Sequence, residues 1–184
     1  MKIKTTEIPD LLIIEPQLFG DNRGCFFESY NEKRFKEHGI TTNFVQDNVS
    51  HSIKNTIRGL HYQLAPHSQA KLIQILKGKV LDIAVDIREN SPTYGKYFAV
   101  ELSDKNNLQF YIPEGFAHGF SVLSDQAIFL YKCSKFYNRE SERGIIFNDF
   151  DLNIDWQISP QKAIISDKDA QLPPFKEAEH NFYF

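Results

Sequence analysis

Cysteine is scarce in this chain. Cys25 and Cys133 are the only two in 184 residues, and they lie too far apart for a zinc or redox spacing. Excess positive charge is also missing: 21 Lys and Arg stand against 24 Asp and Glu, a net charge of -3. Without a dense Lys/Arg cluster, the electrostatic footprint of a nucleic-acid binder is absent. No apolar run is long enough to span a bilayer. The opening "MKIKTTEIPD" lacks the apolar core of a signal peptide. Repeats, low-complexity tracts and linkers are missing too, so one domain over residues 1–184 is expected, long enough for a sizeable core. A reduced, cytoplasmic enzyme or binding protein is the default. What the chain does have is aromatic residues, 16 Phe and 8 Tyr. With the Val/Ile-rich runs, they favour strands over helices.

Strand-like segments recur between Gly, Pro, Asn and Asp punctuation: 11–19, 24–30, 43–52, 56–64, 71–76, 79–87, 97–103, 108–113, 119–124 and 127–137. In "KVLDIAVDI", Leu81, Ile83, Val85 and Ile87 share one face, with Asp82 and Asp86 on the other. "LKGKV" predicts a tight hairpin with Gly78 at positive φ, and "SDKNN" another turn. Only "NEKRFKEHG" (31–39) reads as a helix, with Asn31 as N-cap and Gly39 beyond its end. About ten short strands at this spacing predict a β-sandwich or jelly-roll barrel. From about residue 150 the pattern loosens into loops and short helix, expected to pack on the barrel as a tail.

Small jelly rolls hold ligands at the barrel mouth, and metal-dependent ones supply a His-x-His pair, a carboxylate and a later histidine. In "RGLHYQ", His61 is followed by Tyr62 and Gln63, so the second ligand is missing. His118 in "IPEGFAHGF" lacks a carboxylate partner at ligand spacing, and no metal centre is expected. A histidine in a strand is commonly a packed core residue. The alternative for His61 is a general base, which needs a carboxylate behind it to fix its tautomer. Asp167 or Asp169 in "ISDKDAQ" offers one. Lys71 is a candidate to stabilise an oxyanion. Tyr131, within the apolar "AIFLYKC", is an unusual place for a hydroxyl that does no work. These residues outline a pocket without naming a reaction.

Over essentially its whole length the chain resembles the dTDP-4-dehydrorhamnose 3,5-epimerase family, sugar-nucleotide epimerases with a cupin-like jelly-roll barrel and short peripheral helices. The likeness rests on "DNRGCFFESY", "FVQDNVSHS", "IRGLHYQ", "QAKLIQILKGKVLDIAVDIRENSPTYGK", "IPEGFAHGF", "YKCSKFY", "ERGIIFND", "IDW" and "SDKDAQ", in that order. The resemblance implies cofactor-independent inversion of C3 and C5 beside a C4 ketone, on a dTDP-linked 4-keto-6-deoxyhexose. It implies His61 as base with Asp169 behind it, Tyr131 as acid on the opposite face, and Lys71 at the enolate oxygen. Arg23, Phe26 and Glu28 match a segment that reaches the nucleotide of a neighbouring subunit, which implies a homodimer with exchanged strands from about residues 1–30. Gln46, Asp47, Asn48, Arg58, His118, Tyr137, Glu142 and Lys168 match ligand-contacting positions, with Arg58 at the diphosphate and Tyr137 stacked on thymine. Where family members often carry proline, this chain has Asn138 and Phe150, so those loops are expected to differ. Strict alternation puts Arg58 and His61 on opposite strand faces. For both to reach one pocket the strand must bend or begin near Gly59.

Overall fold

The computed structural model describes residues 1–184. Thirteen strands follow the β-rich composition: β1 (Lys2–Thr5), β2 (Leu12–Glu15), β3 (Phe19–Asp21), β4 (Gly24–Phe26), β5 (Gln46–Ile53), β6 (Ile57–Gln63), β7 (Lys71–Lys77), β8 (Lys79–Asp86), β9 (Tyr97–Ser103), β10 (Gln109–Ile112), β11 (Phe116–Val122), β12 (Gln126–Cys133) and β13 (Glu142–Gly144). Two short α-helices interrupt them, α1 (Glu32–Glu37) and α2 (Asp167–Ala170). The strands form a six-stranded sheet, β1-β2-β10-β7-β12-β5, and a five-stranded sheet, β13-β6-β11-β8-β9; β3 and β4 make a separate hairpin. Every strand pair within them is antiparallel. This is the jelly roll that the strand spacing predicted.

Alternation along β8 shows how the layers are built. Val80 and Ala84 face the interior between the sheets, packed with Ile73, Phe110, Phe120 and Phe129. Leu81, Ile83, Val85 and Ile87 face the other way. That outer face is not solvent, because Ile145, Leu152, Trp156 and Phe182 cover it as a second core. Asp82 and Asp86 therefore belong to the interior-facing side, and both are fully buried. Fully burying a side chain such as Phe110 or Phe129 contributes about 1.5–3 kcal/mol, so both cores matter to stability.

The helix expected at 31–39 forms over Glu32–Glu37. Asn31 caps it by accepting the Arg34 N–H, and Gly39 follows at φ +87. Phe35 anchors it against Ile14, Ile40 and Leu72 on the outside of the six-stranded sheet. The tight turn expected at Gly78 forms, at φ +82, where a Cβ would lie 2.0 Å from the Gln126 carbonyl oxygen. It closes no hairpin: β7 pairs with β10 and β12 and β8 with β9 and β11, so Gly78 carries the chain from one sheet to the other. Strands β1 and β13 lie outside the expected segments. The first alternates Lys and Ile at a sheet edge, and the second is three residues long, so neither has a readable pattern. No helix is long and apolar enough to cross a membrane.

Candidate active site

A cavity of about 370 Å³ opens between the sheets. Both sheets contribute walls: Arg58 and His61 from β6 and His118 from β11 on one side, Lys71 from β7 and Tyr131 from β12 on the other. Tyr137, Glu142, Lys168 and Asp169 line the rim.

Arg58 and His61 share this cavity because β6 carries a bulge. His61 pairs with His118 and Arg58 with Phe120, so three steps on β6 match two on β11. The extra residue reverses the alternation between them. Gly59 sits at φ +116, and a Cβ there would lie 2.6 Å from Gly119 Cα and 2.7 Å from the His118 carbonyl oxygen. Only glycine meets both demands.

The base candidate is held from behind. Ser166 caps α2 by accepting the Asp169 N–H at 3.1 Å, which turns the Asp169 carboxylate toward β6. Its Oδ1 lies 2.9 Å from His61 Nε2, and its Oδ2 accepts the Gly59 N–H at 3.2 Å. One carboxylate thus fixes both the imidazole and the bulge beside it. Burial alone raises the Asp169 pKa, but the hydrogen bond and charge of His61 outweigh it and hold the group below the usual carboxylate range. Asp167 is exposed. With Nε2 committed to Asp169, Nδ1 is the nitrogen left to take a proton.

Opposite stands Tyr131, edge-on to Phe129 at 5.8 Å, with burial pushing its phenol up to about 12. It stays protonated throughout the neutral range. Lys71 is buried, and its ammonium has only two long contacts, the His61 carbonyl oxygen and His118 Nδ1, each at 3.5 Å. Burial lowers its pKa. A buried ammonium with no short hydrogen bond is poised for an anionic oxygen.

At the rim, Glu142 Oε2 accepts from Tyr137 Oη at 2.8 Å and from Lys168 Nζ at 2.6 Å. Burial raises the Glu142 pKa, but these two donors carry it below its ordinary value. Gln46, Asp47 and Asn48 do not line the cavity. Gln46 Oε1 accepts the Tyr137 N–H at 2.9 Å, its Nε2 donates to Asn48 Oδ1 at 3.0 Å, and Asn48 Nδ2 donates to Cys133 Sγ at 3.6 Å. Those two residues brace the Tyr137 loop. Asp47 pairs with Lys132 at 2.9 Å instead. Asn138 donates its backbone N–H to Gln63 Oε1 at 2.7 Å, a bond that proline cannot make. Arg23, Phe26 and Glu28 also lie off this cavity, beyond or within the exposed β3–β4 hairpin. Arg23 bonds Asp21, and Glu28 accepts from Asn31 at 3.1 Å.

Ser50, Gln69 and Ser166 line the cavity without having been expected there, and a buried acid behind it escaped the sequence as well. Asp82 Oδ1 and Oδ2 lie 3.0 and 3.2 Å from His118 Nε2, which makes a second imidazole–carboxylate pair. The available signal was an acid inside the apolar run of β8.

Against this geometry stand the comparisons with known proteins. A family profile described as dTDP-4-dehydrorhamnose 3,5-epimerase matches residues 5–177. The chain belongs to this family. A Shigella flexneri protein named dTDP-4-dehydrorhamnose 3,5-epimerase is 52% identical over 181 residues, 98% of this chain and 99% of the relative. The crystal structure of such an epimerase from Elizabethkingia anophelis superimposes with a TM-score of 0.92 at 54% identity, over 96% of this chain and 97% of that one. A Legionella pneumophila dTDP-6-deoxy-D-glucose-3,5-epimerase, solved with dTDP-4-keto-L-rhamnose, gives a TM-score of 0.91 at 50% identity, over 96% and 93%. Among the epimerase residues expected from resemblance, the imidazole–carboxylate pair, the lysine and the tyrosine thus converge on one cavity in this chain.

Proposed function

We propose that the protein inverts C3 and C5 of dTDP-4-dehydro-6-deoxy-D-glucose to give dTDP-4-dehydro-L-rhamnose. The observation that carries the reading is the arrangement across the cavity: a carboxylate-backed imidazole on one sheet, a phenol on the other, and a buried ammonium with no short hydrogen bond. His61 Nδ1 removes the proton from the carbon next to the C4 ketone. The electron pair of that C–H bond moves into the C4 carbonyl and forms an enolate, whose oxygen the Lys71 ammonium stabilises. Tyr131 then delivers a proton to the opposite face as the enolate collapses. His61 and Tyr131 return to their starting states by exchange with solvent, and the sequence repeats at the second carbon. Acid–base catalysis supplies about 10²–10⁴-fold, so charge stabilisation by Lys71 carries much of the remainder. Arg58 meets the diphosphate, and Tyr137, braced by Glu142, meets the base.

The same reading includes a homodimer with exchanged N-terminal strands. Phe19 and Phe26, on β3 and β4, are 53% and 70% exposed, and Val49 and Ile53 on the edge strand β5 are exposed too. Such an apolar surface fits a second copy of the chain, whose Arg23 and Glu28 would complete the rim. Two free thiols, one of them exposed, fit a reducing cytoplasm.

The test is incubation with dTDP-4-keto-6-deoxyglucose in D₂O, followed by mass spectrometry and NMR. Deuterium at both C3 and C5 supports the proposal. Label at one centre only points to a single-centre epimerase, and no label refutes the reading. Sedimentation velocity decides the dimer.

A further inference from the structure

Asp82 has no role in the steps above and does not line the cavity. Yet it is fully buried, and His118 is its only hydrogen-bond partner. On the other side of that imidazole, Nδ1 lies 3.5 Å from Lys71 Nζ. A carboxylate and an ammonium, both withdrawn from water, therefore flank one ring. Each alone carries a heavy desolvation cost, and each needs a counter-charge or must neutralise. Two proton distributions satisfy both contacts: an all-neutral one, with Asp82 protonated, the His118 proton on Nδ1 and Lys71 an amine, and a charged one, the only one that offers a cation to an enolate. In the charged one Lys71 is an ammonium donating to Nδ1, His118 is neutral with its proton on Nε2, and Asp82 is a carboxylate accepting it. A doubly protonated His118 would place a donor and a second positive charge against Lys71. A neutral Asp82 would leave the ammonium without its partner.

We propose that Asp82 is a positioning residue for the enolate step: through the tautomer of His118 it supplies the counter-charge that keeps Lys71 an ammonium at the C4 oxygen. The proposal rests on the epimerase reading and deepens it. The groups around Lys71 are the His61 carbonyl on β6, Asp82 on β8, His118 on β11, Cys133 on β12 and Glu142 on β13. Burial drives the lysine toward neutrality, while Cys133, Asp82 and Glu142 oppose it. The Cys133 thiol is itself pushed up by burial, so it carries little charge near neutral pH. Glu142 is tied to Lys168 at the rim. Asp82 is the acid whose only hydrogen-bonded link leads, through His118, to the ammonium.

The test is Asp82→Asn, which keeps an oxygen for His118 Nε2–H and removes the charge. Deuterium exchange into substrate is followed against pH in wild type and variant. The basic limb of kcat is expected to move down by about one pH unit or more, with kcat at pH 8 falling about tenfold and KM changing less than about threefold. A merely structural role would scale activity at all pH values without moving the profile, and that result overturns the proposal. NMR provides a readout independent of turnover. In the wild type, the ¹⁵N spectrum of His118 should show the neutral Nε2–H tautomer, and Lys71 ¹³Cε should titrate at higher pH than in the variant. A doubly protonated or Nδ1–H His118, or an unchanged lysine titration, overturns it. If Asp82→Asn does not fold, the wild-type tautomer decides. If wild type exchanges no label at all, the epimerase reading fails while the NMR result still decides the link from Asp82 to Lys71.

Discussion

Replacing Gly59 with alanine tests the feature on which the site's geometry turns. The new Cβ would lie 2.6 Å from Gly119 Cα and 2.7 Å from the His118 carbonyl oxygen, and both are backbone atoms of the central strand β11. Neither can swing aside as a flexible side chain would. Gly59 also sits at φ +116, a conformation that costs a non-glycine residue about 1–3 kcal/mol. Forcing extra volume into a packed interior adds about 1–3 kcal/mol. The sum, about 2–6 kcal/mol, corresponds in a chain of this size to a Tm lower by about 5–20 °C. Gly24→Ala is the internal control, because Gly24 has φ +138 but nothing within 4 Å of its ideal Cβ. Calorimetry of both variants separates the clash from the dihedral cost. Gly59→Ala should also lose kcat/KM beyond the unfolded fraction, since flattening the bulge turns Arg58 and His61 to opposite faces. A Gly59→Ala protein with Tm within about 2 °C of wild type and unchanged kcat/KM would refute the role given to the bulge.

Three further outcomes follow from the site. Tyr131→Phe removes the opposite-face acid but leaves His61 in place, so substrate should still exchange its C–H proton with D₂O while net inversion falls about 10²–10⁴-fold; loss of exchange and inversion together would contradict the two-sided assignment. Asp169 has a folded-state pKa below its ordinary value of about 3.9, so its stabilising contribution is present above that pH and lost as pH falls through the lowered value. The Tm difference between wild type and Asp169→Asn should therefore shrink below about pH 4, and a constant difference from pH 7 to pH 3 in thermal melts would refute the coupling. Glu142→Ala releases Tyr137 and Lys168 from their shared acceptor, so KM should rise about three- to tenfold with kcat little changed, whereas a pure kcat effect in steady-state kinetics would place Glu142 in the chemistry instead.

Much of the fold was legible because its elements are locally determined. Strands such as 71–77 and 97–103 announce themselves through β-branched and aromatic residues between turn formers, and Asn31 and Gly39 bracket the one clear helix. The short edge strands β1 and β13 were not legible, because their partners rather than their side chains hold them in extended form. The tail from about residue 150 reads as loose, yet Leu152, Trp156 and Phe182 cover the outer face of the five-stranded sheet. That explains why β8 buries both of its faces.

By itself the sequence determined the strand-rich class, the absence of a His-x-His metal pattern at His61, and the residue types available for proton transfer. Only the tertiary structure decided which of them meet. Alternation counts residues along one strand and cannot see a bulge, so Arg58 and His61 were on opposite faces until Gly59 and Leu60 together opposed the single Gly119 of β11. Two acids two residues apart look equivalent in "SDKDAQ", and the single turn of α2 buries Asp169 against His61 while Asp167 stays exposed. Asp82 and His118 lie far apart in the chain, and only neighbouring antiparallel strands bring them within 3.0 Å. Contacts between distant segments arise from sheet pairing and burial, which no local pattern encodes.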